Sequence, residues 1–273
     1  MPTILPPKKM SEEKPKYTGD PDDYRLTLVE HLEELRTRII RSAIAIVIGW
    51  AIGWWEFQNV YGYLVTVINA GIKAGLPPRT AYHEVFLSAT EPFLLQLRLS
   101  FMIGLILAFP YLVLQIWGFI APALKPNEQK PFKKLAPTSA TLFVVGAGFA
   151  WFVTPSALKW FVQYLANFPT VELNQQAGTM VFFVLKLLLA FGFGFQLPII
   201  VYGMGIAGIL SAETLIKYWK QSSFVIFVVA SIVTPSNDPI TMLAMAVPLV
   251  LLFIASVYAV KFVQRKKPPL GLD

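Results

Sequence analysis

Glu30, Glu33 and Glu34 stand together in Leu28-Val29-Glu30-His31-Leu32-Glu33-Glu34-Leu35-Arg36, just before the first long apolar run of a basic chain. The cytoplasmic flanks of membrane helices normally collect Lys and Arg, so carboxylates placed there suit a cationic ligand. A carboxylate accepts a guanidinium through two parallel N–H···O bonds, a fit that an ammonium lacks. Local pairing competes for the same groups. Glu33 with Arg36 and Glu34 with Arg38 have i,i+3 and i,i+4 spacing, worth about 0.2–0.5 kcal/mol each on a helix surface. Glu128 is a second isolated acid, in a stretch holding Lys125, Lys130, Lys133 and Lys134. Two such carboxylates on one basic face suit a ligand with two adjacent positive charges.

Other polar residues sit where water is scarce. Arg98 and Lys186 interrupt apolar runs. At mid-bilayer each would cost about 2.5–3.5 kcal/mol, so each should snorkel, pair or line a wet cavity. Gln196, in Phe195-Gln196-Leu197-Pro198, has the character of interhelical glue. Asp238 precedes Pro239 in a turn, which is ordinary turn chemistry. His31 and His83 have no metal-ligand spacing around them, and no P-loop, His-Glu-x-x-His or nucleophile elbow is present. Neither enzymatic activity nor a metal or cofactor is expected.

The elements that must position these groups are apolar helices. Of 273 residues, 55% are hydrophobic and only 14% charged, against about a quarter charged in soluble domains. The net charge of +7 gathers at the ends of apolar runs, as in membrane flanks, and not in an aromatic-interleaved arm for nucleic acid. There is no cysteine, so thiol chemistry and disulfides are excluded.

Residues 1–24 are expected to form a disordered cytoplasmic tail, 25–260 a membrane domain and 261–273 a basic cytoplasmic tail. Thr27-Leu28-Val29-Glu30 has capping-box spacing. Leu28, Leu32, Leu35 and Ile39 then form an apolar stripe, with Glu30, Glu34 and Thr37 nearly opposite. This predicts a surface helix with its acids toward water, turning into a first span at about 39–55 that ends at Trp54 and Trp55. Residues 56–90 are amphipathic and turn-rich, and read as an external loop. Further spans are expected at about 91–120, 135–155, 179–206, 222–233 and 240–260, with a basic loop over 121–134. Basic residues at both ends require an even number of crossings, hence six, the last two short. The fold class is therefore an all-α polytopic membrane protein.

Several of these segments resemble the TatC family, the multispanning receptor subunit of the twin-arginine protein translocase. They are His31-Leu32-Glu33-Glu34-Leu35-Arg36, Glu91-Pro92-Phe93, Phe119-Ile120-Ala121-Pro122-Ala123-Leu124 followed by Glu128, and Phe191-Gly192-Phe193-Gly194-Phe195-Gln196-Leu197-Pro198. The resemblance runs from about residue 27 to 260. It implies a cup-shaped six-helix receptor in a bacterial cytoplasmic membrane, both termini cytoplasmic. Such a receptor binds the paired arginines of signal peptides on folded cargo and recruits single-span TatA-like and TatB-like subunits. Export is then driven by the proton-motive force. Glu34 and Glu128, with Arg36, are the signal-peptide positions so implied, and Phe93, Pro110, Phe119, Gln196 and Asp238 the structural or partner-contact positions. Where the family usually has glutamate, Gln196 stands here, and Asp238 is followed four residues on by Met242 and not by an amide.

Two other readings compete. A secondary transporter of a small cationic solute would use Arg98, Lys186 and the interrupted final helices, a feature of transporter sites. A membrane scaffold would bind partner helices without responding to a signal peptide.

Overall fold

The computed structural model describes residues 28–78, 80–120, 126–168, 170–234 and 238–266, the side chains of Leu28, residues 126–134 and Lys266 excepted. The capping-box Thr27 and residues 121–125 lie outside this set. As expected, the chain is an all-α polytopic membrane protein. In chain order its helices are α1 (Leu28–Trp55), α2 (Phe57–Gly75), α3 (Glu91–Ile120), α4 (Pro126–Gln163), α5 (Ala177–Gly194), α6 (Leu197–Ile206), α7 (Ala212–Lys217), α8 (Trp219–Val233) and α9 (Pro239–Lys266). Among the described residues, strands β1 (Tyr82–Val85) and β2 (Leu173–Gln176) are the remaining regular elements apart from a short 3-10 turn.

Among the described residues, four stretches are long and apolar enough to cross a membrane: Glu91–Ile120, Leu135–Asn167, Ala177–Ile206 and Pro239–Arg265. The α1–α2 pair, bent by 71°, counts as a fifth broken span or a re-entrant element, and α8 is a shorter apolar helix.

Three expectations need correction. The external loop over 56–90 contains α2, because Leu64, Ile68 and Ile72 recur every fourth residue and bury one stripe. That stripe packs on α4, with Gly71 against Pro155. Secondly, α4 starts at Pro126, inside the expected basic loop. Proline loses nothing at a first helical position, where its missing N–H would be unpaired anyway. Thirdly, α1 is one continuous helix and does not turn at residue 39.

The span over 179–206 is broken at Phe195 and Gln196. Pro198 has no N–H, and its ring clashes with the carbonyl four residues back, so the helix restarts at Leu197. The backbone N–H of Gln196 bonds Phe193 O at 2.9 Å, one residue short of helical register. Gly192 O is thereby left for another donor.

The helices enclose two main apolar centres. One gathers Leu187, Phe191, Ala230, Met245, Leu249 and Val260 from α5, α8 and α9. The other gathers Leu64, Ile68, Leu99, Leu158 and Val184 from α2 to α5. At one end of the bundle β1 and β2 pair in parallel, Tyr82 opposite Leu173. The Tyr82 hydroxyl lies 2.9 Å from Asn69 Oδ1 and 3.1 Å from Glu84 Oε1. Burial, then the Glu84 carboxylate, pushes its pKa above the ordinary phenol value, so it stays a donor. This sheet end sets the starts of α3 and α5 side by side, with Gly178 facing Leu95.

Candidate functional site

At the opposite end, the start of α1 meets the last turns of α3. The two helices run antiparallel. His31 stacks on Phe119 with ring centroids 4.3 Å apart, and Gly49 meets Gly104 further along. Gly49 and Gly104 permit backbone contact here: a Cβ on Gly49 would stand 2.5 Å from Gly104 O. Such small-residue contacts are a common way for membrane helices to approach closely.

That approach brings Glu34 and Arg38 onto α3. Arg38 donates from Nε and Nη2 to Glu34 Oε1 at 2.9 and 2.5 Å. Its Nη1 reaches Gln115 Oε1 at 3.3 Å and Gln115 O at 3.4 Å. The guanidinium lies across Gly118, where any Cβ would collide with it. Side-chain exposure is 23% for Glu34 and 22% for Arg38, so the pair is neither a solvated surface bridge nor sealed in the core. Both Arg38 donors fall on one carboxylate oxygen. Among the described residues, Oε2 of Glu34 takes no hydrogen bond.

The expected orientation of this segment holds for Glu30 and Thr37, which are exposed, and fails for Glu34, which is turned onto α3. Leu32 and Ile39 are 63% and 58% exposed, whereas Glu34 faces α3. Gln115 and the bare backbone at Gly118 offer a polar seat, and a lipid-facing helix loses nothing by leaving leucine outside. Glu33 and Arg36 are both exposed and form no ion pair with each other.

Glu128 falls in the first turn of α4, at the same end as Glu34. Its side chain lies outside the described set. Phe119 borders the site through His31. Phe93 does not: it is 60% exposed in the first turn of α3, about 33 Å along the axis from Gln115. Pro110 lies partly buried within α3 between them.

Gln196 and Asp238 are both turned inward. The Gln196 amide donates to Gly192 O and Ser139 O, both at 3.2 Å, and accepts from Ser139 Oγ. It therefore serves the carbonyl released by the Pro198 break and ties α5 to α4. Asp238 caps α9, its Oδ1 accepting from the N–H groups of Ile240 at 2.9 Å and Thr241 at 2.8 Å, while Thr241 Oγ1 donates to Oδ2. Gln196→Leu is expected to leave Ser139 and Gly192 short of partners at about 1–3 kcal/mol. Thermal unfolding in detergent should show a lower midpoint, and an unchanged midpoint would mean that water replaces the amide.

Pattern reading missed Gln115, the seat at Gly118, and Gln264. The last donates to Gly205 O at 3.1 Å and Leu210 O at 3.0 Å and accepts from Ala212 N at 2.8 Å, clamping α9 to the α6–α7 turn. A lone amide near a basic terminus carries no signal in the sequence; only the fold supplies its partners.

The Sec-independent protein translocase protein (TatC) family matches residues 30–248. The chain belongs to the TatC family. It is 37% identical over 249 residues to the TatC protein of Carboxydothermus hydrogenoformans, covering 90% of this chain and 97% of that one. With TatC of Aquifex aeolicus it shares 37% over 248 residues, 89% and 98% of the two chains. A crystal structure of the twin-arginine translocase receptor TatC superposes with a TM-score of 0.72 at 34% identity, over 86% of this chain and 100% of that one. Membership makes the chain a multi-pass membrane component of a protein translocase, a transport protein and not a classical enzyme. It favours the translocase over the solute-transporter reading.

Proposed function

We propose that this chain is the signal-peptide receptor of a twin-arginine translocase, with Glu34 and Glu128 each holding one arginine of the pair. The observation that carries the reading is the half-buried Glu34 carboxylate, oriented by Arg38 through one oxygen and taking no hydrogen bond at the other among the described residues. Since both Arg38 donors fall on Oε1, a second guanidinium at Oε2 would not compete with Arg38 for the same oxygen. Arg36, two residues on and exposed, lies beside the entry and sets the local charge there.

The charge distribution supports a cytoplasmic site. Arg36, Arg41, Lys217, Lys220 and Arg265 are exposed at this end of the bundle, in keeping with the excess of basic residues on cytoplasmic flanks. Both termini would then be cytoplasmic, with six crossings when the α1–α2 pair and α8 are each counted as one. The domain limits follow the same reading, with the membrane domain running on to the end of α9. TatA-like and TatB-like single-span helices would join along the lipid-facing surface for export driven by the proton-motive force across a bacterial cytoplasmic membrane.

The test is a pull-down of the purified chain with an Arg-Arg signal peptide against its Lys-Lys version. A fork-shaped acceptor predicts roughly tenfold weaker capture of the lysine peptide, about one charge-assisted hydrogen bond. Equal capture of the two would reject the proposal.

A further inference from the structure

Lys186 stands alone in its surroundings. It lies nine residues beyond Ala177, the first residue of α5, about 14 Å into the helix. Its side chain is exposed, and among the described residues it forms no ion pair. Two cavities meet at it. One of about 550 Å³ is lined by Ala190 and Phe193 of α5 and by Ile232 and Val233 of α8. The other, of about 370 Å³, runs toward the sheet end between Leu158 and Phe161 of α4 and Thr179 and Phe183 of α5.

The reason for the second cavity is the length of α8. At 15 residues it spans only about 22 Å, short of a hydrocarbon core of about 30 Å. Its last residues, Ile232 and Val233, lie beside Lys186. Helix α8 therefore ends level with the lysine, and among the described residues the cavity from Lys186 back to Thr179 is lined by α4 and α5 alone. Thinning is one way in which a bilayer meets a short element, and it would bring the headgroups of that leaflet toward an ammonium that also snorkels up to them.

We propose that Lys186 binds the phosphate of an anionic phospholipid in the notch between the α8–α9 hairpin and the sheet end. The ammonium supplies the charge, the Thr179 hydroxyl lies on the route to it, and Phe161, Phe182 and Phe183 form apolar walls for the glycerol and upper acyl carbons. A zwitterionic headgroup carries its own cation to the same phosphate, so the anionic lipid is preferred. This goes beyond the receptor function and does not depend on it.

Because the chain has no cysteine, Val233→Cys gives a single site for a fluorophore next to Lys186. The full-length labelled chain is reconstituted in phosphatidylcholine vesicles and titrated with phosphatidylglycerol carrying a nitroxide near its glycerol. Quenching should half-saturate at a roughly tenfold lower lipid fraction with Lys186 than with Lys186→Gln, the worth of one charge-assisted bond. Lys186→Arg should restore it. An unchanged titration in Lys186→Gln overturns the proposal, as does equal quenching by nitroxide-labelled phosphatidylcholine. So does a Lys186→Gln variant that keeps the lipid titration but loses a single-span helix carrying a carboxylate, which would make the lysine a protein-docking point.

Discussion

Glu34→Gln is expected to weaken binding of an Arg-Arg signal peptide by roughly 10- to 100-fold while leaving the chain folded and inserted. The substitution keeps the shape of the side chain and removes its charge. A hydrogen bond to a charged group is worth about 1.5–3 kcal/mol, and the loss falls twice. The incoming guanidinium loses a charged acceptor, and Arg38, no longer neutralised, adds a positive charge at the entry. Glu33→Gln is the control, since Glu33 is exposed and forms no ion pair among the described residues; it should bind as the parent does. Titration of a fluorescent signal peptide measures all three chains. If Glu33→Gln loses as much as Glu34→Gln, the general negative charge of the segment is being read, and Glu34 has no special part.

Gly104→Ala is expected to produce the largest structural effect. A Cβ at Gly104 would stand 2.6 Å from the carbonyl carbon of Gly49. The obstacle is backbone and cannot rotate away, so α1 and α3 must separate along the interface that carries Arg38 to Gln115. Overpacking of this kind costs about 1–3 kcal/mol. The unfolding midpoint in detergent should fall, and signal-peptide binding should weaken although no residue of the site has changed. Gly148→Ala separates this from a general glycine effect: nothing lies within 4 Å of a Cβ there, and alanine favours helix by up to about 1 kcal/mol. A Gly104→Ala chain as stable as Gly148→Ala would show that the two helices can slide apart at no cost.

Much of the architecture was legible because lipid imposes a simple rule: long apolar runs must be helices. The helix at 91–120 has the expected limits, and α1 ends at the anticipated pair Trp54 and Trp55. What failed was the seating of Glu34 and the local interruption of helices. The stripe of Leu28, Leu32, Leu35 and Ile39 predicts a surface helix with all its acids toward water, yet Glu34 is turned onto α3 beside Arg38. In lipid the argument weakens, because an apolar side chain gains little by turning from lipid to protein. Polar partners then decide which face packs, and Gln115 and Gly118 are about 80 positions away from Glu34, beyond any local pattern. The break at Phe195 was readable in Pro198 alone, but the repair by Gln196 needed Ser139 from another helix. The parallel β1–β2 pair was unreadable for the same reason, its two strands each four residues long and far apart in the chain.

That strand pair constrains how the chain is made. Tyr82 can reach Leu173 only after α3 and α4, which lie between them, have crossed the membrane in opposite directions. A chain with either helix left on the wrong side would hold its two strands on opposite faces of the bilayer, unable to meet. Closure of so distant a contact comes late in folding, once the loop entropy of the intervening segment has been lost. The small sheet is thus a threading check: it forms only on a polypeptide whose central hairpin has been correctly inserted.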